Sequence, residues 1–517
     1  MSRRVRTRTK TEVLTDEVRP SIVDQHIYRF RRRVCVVALL VLGLVMVWFF
    51  WRFMTDRPVD YSDISEHFKY GSIGSEPGGS LSNPIGGLLP PEKIFLALPE
   101  ICPDLLPGGY ASLGFVFEDG KTLPIGVSRR HRLGFGQIGI NCAVCHTGTV
   151  RDSPDGEPRI YLGMPAHQLE LQEFFRFIVD CTQDPRFTAD NVIGTVGDLG
   201  FVDRFLYRSQ LVPMIREQTA DLEARLGLMR GDEITPWGPG RVDTFNPYKA
   251  IQFNWKLAEL PLDELIAGTD YPALWWQKPR EGMDLHWDGN NSSLSERNLS
   301  ASLGTGVTPT TIDHPRLNRV REWAKTLPPP DYPYPIDEGL AARGYELYNQ
   351  YCLDCHADHR FRDGVVEGSK VGTVEPIDYV GTDRHRLDAY TYTFAANQYT
   401  LYPDSEYSFK HFKKTDGYAN QPLDAVWLRA PYLHNGSVPS LRTLLEPPEN
   451  RPVVFYRGND VFDQGEVGFV YDLAEQDGRS FSRFDTRLPG NSNSGHLYGC
   501  DLDDDGKDAI VEYMKKL

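Results

Sequence analysis

Two cysteines, two intervening residues and a histidine occur twice in this 517-residue chain, as Cys142-Ala143-Val144-Cys145-His146 and Cys352-Leu353-Asp354-Cys355-His356. Thiols at this spacing can form two thioethers to the vinyl groups of one porphyrin, and the adjoining imidazole can then reach the iron. That is the attachment chemistry of a c-type haem. Two copies among only eight cysteines imply two covalently attached haem c groups. Zinc also uses paired thiols, but it has no need of a His directly after each pair. A redox dithiol would normally occur once, near a βαβ pattern. Of the other cysteines, Cys35 falls in an apolar run. Cys102, Cys181 and Cys500 are an odd number, so at most one disulfide joins two of them, and the sequence leaves open which.

His146 and His356 are the proximal iron ligands by motif. The sixth position decides the chemistry, since an open one binds a small oxidant and a filled one favours electron transfer. No Met stands between Met283 and Met514, and Met514 lies on an apolar helical stripe. The second haem therefore draws its other ligand from His359, His385, His411, His434 or His496. His496 ends a polar loop, Gly490-Asn491-Ser492-Asn493-Ser494-Gly495-His496, which can fold back over a haem face. His434, in Ala430-Pro431-Tyr432-Leu433-His434, is the other serious candidate. For the first haem, His167 and Met164 are within reach, but an open or weakly occupied site is the favoured reading.

These groups must be placed outside the cytoplasm, where haem c is attached. Val34 to Trp51 is an uncharged run of 18 residues. As a helix it would span roughly 27 Å, close to a bilayer core. Arg31 to Arg33 precede it, and Trp48, Phe49, Phe50, Trp51 and Phe53 form an aromatic belt at its far end. A cleaved signal peptide fits less well, because 33 residues precede the run and no small-x-small site follows. Residues 1–33 hold ten basic and four acidic residues, a net of +6; the whole chain carries −15, leaving −21 for the rest. The expected topology is single-pass, with a cytoplasmic N-terminus and the acidic bulk in the periplasm or otherwise outside the cytoplasm. That acidity excludes nucleic acid as a natural partner and suits a redox partner protein: a small cytochrome, a cupredoxin or a membrane dehydrogenase.

The elements that must position the two motifs follow in order. The expected organisation is a cytoplasmic basic tail (1–33), a transmembrane anchor (34–53) and a Gly- and Pro-rich tether (54–91). A cytochrome c-like domain with the first haem (92–330) and another with the second (331–517) complete it. Pro328-Pro329-Pro330-Asp331-Tyr332-Pro333-Tyr334-Pro335 marks the division. Each side ends on a similar helical pattern, Leu317, Val320, Trp323, Ala324, Leu327 in one and Ile510, Tyr513, Met514, Leu517 in the other. Leu340, Gly344, Leu347, Tyr348 and Tyr351 predict a helix leading into the second motif, with Gly344 as a point of close approach. The fold class is thus mainly α: two tandem cytochrome c-like domains with long loop insertions, after one N-terminal transmembrane helix. Asp501, Asp503, Asp505, Gly506 and Glu512 also satisfy an EF-hand spacing. Asp508 stands where such a loop wants an apolar residue, and acidic residues suit a helix start, so calcium is the weaker reading.

The paired motifs resemble the di-haem cytochrome c peroxidase superfamily, which includes a methylamine-utilisation enzyme. Arg429-Ala430-Pro431-Tyr432-Leu433-His434-Asn435-Gly436-Ser437 is similar to its second-domain signature, and His286-Trp287-Asp288-Gly289 to the element whose Trp lies between the haems. The resemblance implies Trp287 as an inter-haem electron relay. After that Trp, peroxidases carry a Glu that acts as acid-base, and here no Glu stands at the expected place after Arg297; Glu296 is not aligned with it. Gly139-Ile140-Asn141-Cys142 onward and Asn491-Ser492-Asn493-Ser494-Gly495-His496 resemble the rubber-oxygenase-like branch more closely. That branch implies His496 as ligand of the second haem, with His434 in cofactor binding as a second-shell or propionate residue. The expected function is a di-haem oxidoreductase activating dioxygen or peroxide at the first haem while the second relays electrons. The alternative is a non-catalytic electron-transfer cytochrome between membrane and soluble partners.

Overall fold

A computed structural model describes residues 22–76, 89–226 and 234–517. The basic tail up to residue 21 and the middle of the expected tether, 77–88, lie outside the described residues. Helix Ile22–Met54 belongs to one of two compact units, which also takes in Arg132–Gly134. Its segment His26–Met54 is long and apolar enough to cross a membrane, and its side chains are exposed.

The haem motifs lie in the other compact unit, residues 57–131 and 135–517. It is helix-rich, with short antiparallel strand pairs pinning the loops. Around the second motif, helix Glu338–Tyr351 crosses helix Asp504–Met514, as the apolar stripes require. Gly344 sits at the crossing: a Cβ there would lie 1.8 Å from the Ala509 carbonyl oxygen. Asp503 caps the closing helix by accepting from the Gly506 N–H at 2.9 Å. Around it Asp504 and Asp508 pair with Arg442, and Glu512 with Lys515. The acidic run is divided among separate partners at a helix start.

The expected tether is corrected at its ends. Asp63 caps helix Ile64–Tyr70, whose Phe68 is 1% exposed and meets Trp323 at 4.7 Å between ring centroids. Apolar side chains at 68, 70 and 73 have a core to enter, so this stretch packs against helix His314–Thr326 instead of hanging free. The packed region around the first motif therefore begins before residue 92.

The Pro-rich stretch likewise does not separate two bodies. Tyr332 is buried, and the Pro330 carbonyl accepts from Trp427 Nε1 and Arg362. One hydrophobic cluster takes Val150, Met164 and Trp275 from before it and Trp427, Tyr432 and Phe462 from after it. Between them Arg151 pairs with Asp460 across 309 residues of sequence. The open disulfide question is settled in favour of Cys102–Cys181, which ties helix Glu92–Ile101 to helix Leu171–Gln183; Cys500 keeps a free thiol.

Candidate functional site

The first motif opens on a single tight turn, Cys142–Val144, capped by Asn141, whose side chain accepts from the Ala143 N–H at 2.9 Å. The Asn141 amide donates to the Gly71 carbonyl at 3.0 Å, fastening the turn to the chain just past the 64–70 helix. Downstream, His146 Nδ1 donates to the Pro272 carbonyl at 2.8 Å. A proton fixed on Nδ1 leaves Nε2 free for a metal, the usual device for orienting a ligand imidazole. Desolvation, helped by the charge of Arg297, pushes its pKa down to about 3, so the ring stays neutral as a ligand must.

Both cysteines and His146 face a cavity of about 280 Å³. Side chains from several hydrophobic clusters wall it. Leu171, Phe175, Trp237 and Tyr271 come from one, and Phe245, Tyr248, Phe394 and Phe412 from another. His146 belongs with the first wall, its ring edge-on to Tyr271 at 6.5 Å. Helix Leu294–Leu303 belongs with the second, through Leu299 and Leu303. It presents Arg297, Asn298, Ser300 and Ala301 to the cavity. Glu296 turns away: its carboxylate accepts the backbone N–H groups of Lys410 and His411 and pairs with His411 Nδ1 at 2.7 Å. It is a clamp on that segment, not a substitute acid.

His167 and Met164 do not line the cavity. The His167 ring stacks on Phe469 at 3.7 Å, and Met164 is wholly buried in the shared core. Neither is placed to be a sixth ligand, because the chain leaving the motif turns both side chains towards the second half.

At the second motif, His356 Nδ1 donates to the Gln421 carbonyl at 2.9 Å, the same device as at His146. The His496 ring faces it, with ring centroids 6.2 Å apart. Two metal–nitrogen bonds of about 2 Å plus the inner halves of two imidazoles account for about 6 Å, so one iron fits between them. Desolvation, helped by the charge of Arg451, pushes the His496 pKa down to about 3, leaving it neutral too. The other candidates are engaged elsewhere: His359 with Tyr513, His385 with Asp383, His411 with Glu296 and His434 with Tyr418. His496 has φ +52° and follows Gly495 at φ +75°, a sharp reversal that turns the ring inward. Buried Arg451 holds the reversal by donating to the carbonyls of Asn493, Gly495 and His496.

Between the motifs, Trp287 lines the first cavity and its Nε1 donates to the Asp270 carbonyl at 2.9 Å. The Trp287 carbonyl accepts from the Ala419 N–H at 2.8 Å, and two residues on Gln421 holds His356. One short segment thus links the indole to the second motif. His434 lies behind the cavity wall and does not face His356. Its ring stacks on Tyr418 at 4.0 Å, and its carbonyl accepts from Asp270 N–H at 3.0 Å, so it braces residues that touch the cavity. Arg297, Gln277 and Arg451 were missed from sequence, because an isolated Arg or Gln carries no spacing signal.

Residues 417–456, which hold Trp427 to Leu441, match the family described as RoxA-like, cytochrome c-like. That match supports a cytochrome c-like domain, of the kind that holds haem c, at those residues. The chain is also similar to two proteins of Sinorhizobium fredii. Uncharacterized protein y4iM is 30% identical over 258 residues, 44% of this chain and 56% of that protein. Uncharacterized protein y4iJ is 38% identical over 109 residues, 19% of this chain and 18% of that protein. The matched region therefore spans less than two thirds of either relative.

Proposed function

We propose that this cytochrome is a membrane-anchored di-haem oxidoreductase of the rubber-oxygenase-like branch, working on dioxygen or peroxide at the first motif. The observation that carries the reading is the asymmetry between the two sites. His356 has the His496 ring facing it at 6.2 Å, while no His ring faces His146 in that way among the described residues; the one other His lining its cavity, His286, has its Nδ1 on Asn290 Oδ1. The residues fit a haem c at each motif: two thiols, a neutral imidazole with Nδ1 tied to a carbonyl, and an apolar enclosure or an opposed His. Bound there, haem would supply an iron with a free coordination position at the first site and a low-potential one-electron store at the second.

This chain's own residues do the rest. Cys142 and Cys145 tether, and His146 orients from Pro272. His356 and His496 close off the second site, and Trp287 spans the gap as relay. Helix Ile22–Met54 would anchor the chain with its basic end inside, leaving the acidic body to meet a redox partner protein. The test is carbon monoxide binding to the reduced, haem-loaded protein. One carbon monoxide per two covalent haems is expected, the haem count coming from a pyridine haemochrome assay. Binding at neither haem would leave a pure electron-transfer cytochrome.

A further inference from the structure

The helical stretch from Phe201 to Leu226 changes character along its length. Its last part, Val212–Leu226, buries Val212, Ile215 and Thr219, and the π-helical turn Tyr207–Leu211 before it buries Tyr207 and Leu211. The first part, Phe201–Leu206, has no buried residue. Phe201 is 87% exposed and Phe205 63%, and Phe201 is the most exposed large apolar side chain among the described residues. Four residues apart on one helix, the two rings share a face, with Val202 beside Phe201. A single exposed apolar residue needs no explanation, but two phenylalanines held clear of the body on one face do. Phenylalanine offers water no polar atom, whereas the other strongly exposed rings of the body, Tyr379 and Tyr392, each carry a hydroxyl.

Chain connectivity says what lies next to this face. Only Thr55 and Asp56 separate Met54, the end of the apolar helix, from strand Arg57–Pro58, a reach of about 11 Å at most. Arg57 pairs with His131 and Pro58 with Arg130, in the hairpin of strands Val127–Arg132 and Phe135–Ile140. The turn of that hairpin, Arg132–Gly134, belongs to the same compact unit as the apolar helix, and a Cβ on Gly134 would lie 2.9 Å from the Phe53 ring. The next residue, Phe135, stands edge-on to Tyr207 at 6.0 Å. Tyr207 directly follows the Phe201–Leu206 helix. The hairpin is thus tied to the C-terminal end of the apolar helix at two points, and the exposed rings belong to the helix beside that hairpin. Its charge suits the same neighbour. Residues 127–140 include Arg129, Arg130, His131 and Arg132 and no acidic residue, in a chain that is acidic beyond residue 33. Arg129 pairs with Glu92 and Arg130 with Asp313, so the hairpin offers a balanced to basic edge where the body elsewhere would repel lipid phosphates.

We propose that helix Phe201–Leu206 is a second membrane contact, lying on the bilayer surface opposite the basic tail. Phe201, Val202 and Phe205 insert at the boundary of headgroups and acyl chains, and the hairpin lies at the level of the headgroups. The occupant of the apolar face is lipid. The inference rests on the reading of Ile22–Met54 as a membrane anchor. It adds that the body does not swing freely on Thr55 and Asp56 but is held to the surface by one face, in one orientation.

The experiment uses the haem-loaded full chain in vesicles of phosphatidylethanolamine and phosphatidylglycerol, with no other protein present. Cys35 and Cys500 are replaced by Ser, and a nitroxide is attached at one new cysteine at a time: Phe205→Cys, Val202→Cys, Trp48→Cys in the anchor, or Tyr379→Cys as an exposed reference. Paramagnetic relaxation then reads each label's accessibility to oxygen, which concentrates in the bilayer, and to a nickel chelate, which stays in water. The labels at 205 and 202 should lose most of their nickel accessibility and gain oxygen accessibility, as at 48, while the label at 379 stays accessible to nickel. Labels at 205 and 202 that match 379, with 48 in the bilayer, would overturn the proposal and leave the anchor standing, and the exposed rings would then await a protein partner. A label at 48 that is itself in water would overturn the anchor and the proposal with it. Should removal of the Phe205 ring free the helix, the label at 202, which leaves both rings in place, decides: nickel accessibility there equal to that at 379 overturns the proposal.

Discussion

Paired imidazoles separated by the width of one iron are an unusual arrangement for two neutral, half-buried rings that share no hydrogen bond. Nothing else in the packing calls for His496 to face His356, since its Nδ1 is itself buried without a partner. The geometry is paid for by a left-handed residue and by Arg451, which spends its guanidinium on three loop carbonyls. His496→Ala should therefore open the second haem while leaving the loop in place. The reduced variant should bind two carbon monoxide molecules where the wild type binds one, and its oxidised spectrum should shift towards high spin. A variant that still binds one would remove His496 from the ligand set.

At the scale of elements, the leading and closing helices of the second motif are held by contact between backbones at Gly344 and Ala509. Gly344→Ala should be severely destabilising, by about 3 kcal/mol or more, because a methyl group cannot enter a space occupied by a carbonyl. Gly339, on the same helix, is exposed and has only the Asp337 carboxylate near its Cβ position, at 3.4 Å. Gly339→Ala should be neutral or stabilising by up to about 1 kcal/mol. Thermal unfolding of both variants checks the pair, and equal melting temperatures would contradict the close crossing. The short helix Ile64–Tyr70 shows the limit of pattern reading. It covers about two turns, too few for a period to stand out, and Gly and Pro on its C-terminal side disguise it as a linker.

Over the whole molecule, the two halves are stitched by charge as well as by apolar packing. Asp460 is buried, which by itself would raise its pKa, but Arg151, Thr149 and Arg479 outweigh that and hold it at about 2. A carboxylate depressed in the folded state stabilises fully above its unfolded value near 4, and loses that contribution as pH falls towards 2. Asp460→Asn should cost about 2 kcal/mol at pH 7 and little at pH 2. Denaturant unfolding at the two pH values measures it, and an equal loss at both would show that the charge is not what matters.

The sequence by itself marked the groups that would hold haem under the proposed function, because two thioethers and an imidazole ligand call for two thiols and a His in one short stretch. It also determined the apolar N-terminal helix and the helices on either side of the second motif, whose signals are local and periodic. Only the tertiary structure decided what faces each proximal imidazole. Bringing the His496 ring, which the resemblance already favoured, to face His356, turning His167 and Met164 away, and bringing Arg297 to the cavity all depend on how loops close across hundreds of residues. Such closure is set by packing between distant segments, and no spacing along the chain records it. The same is true of the two halves: a run of prolines reads as a boundary, but a core that draws Trp275 and Trp427 into one cluster makes them a single body.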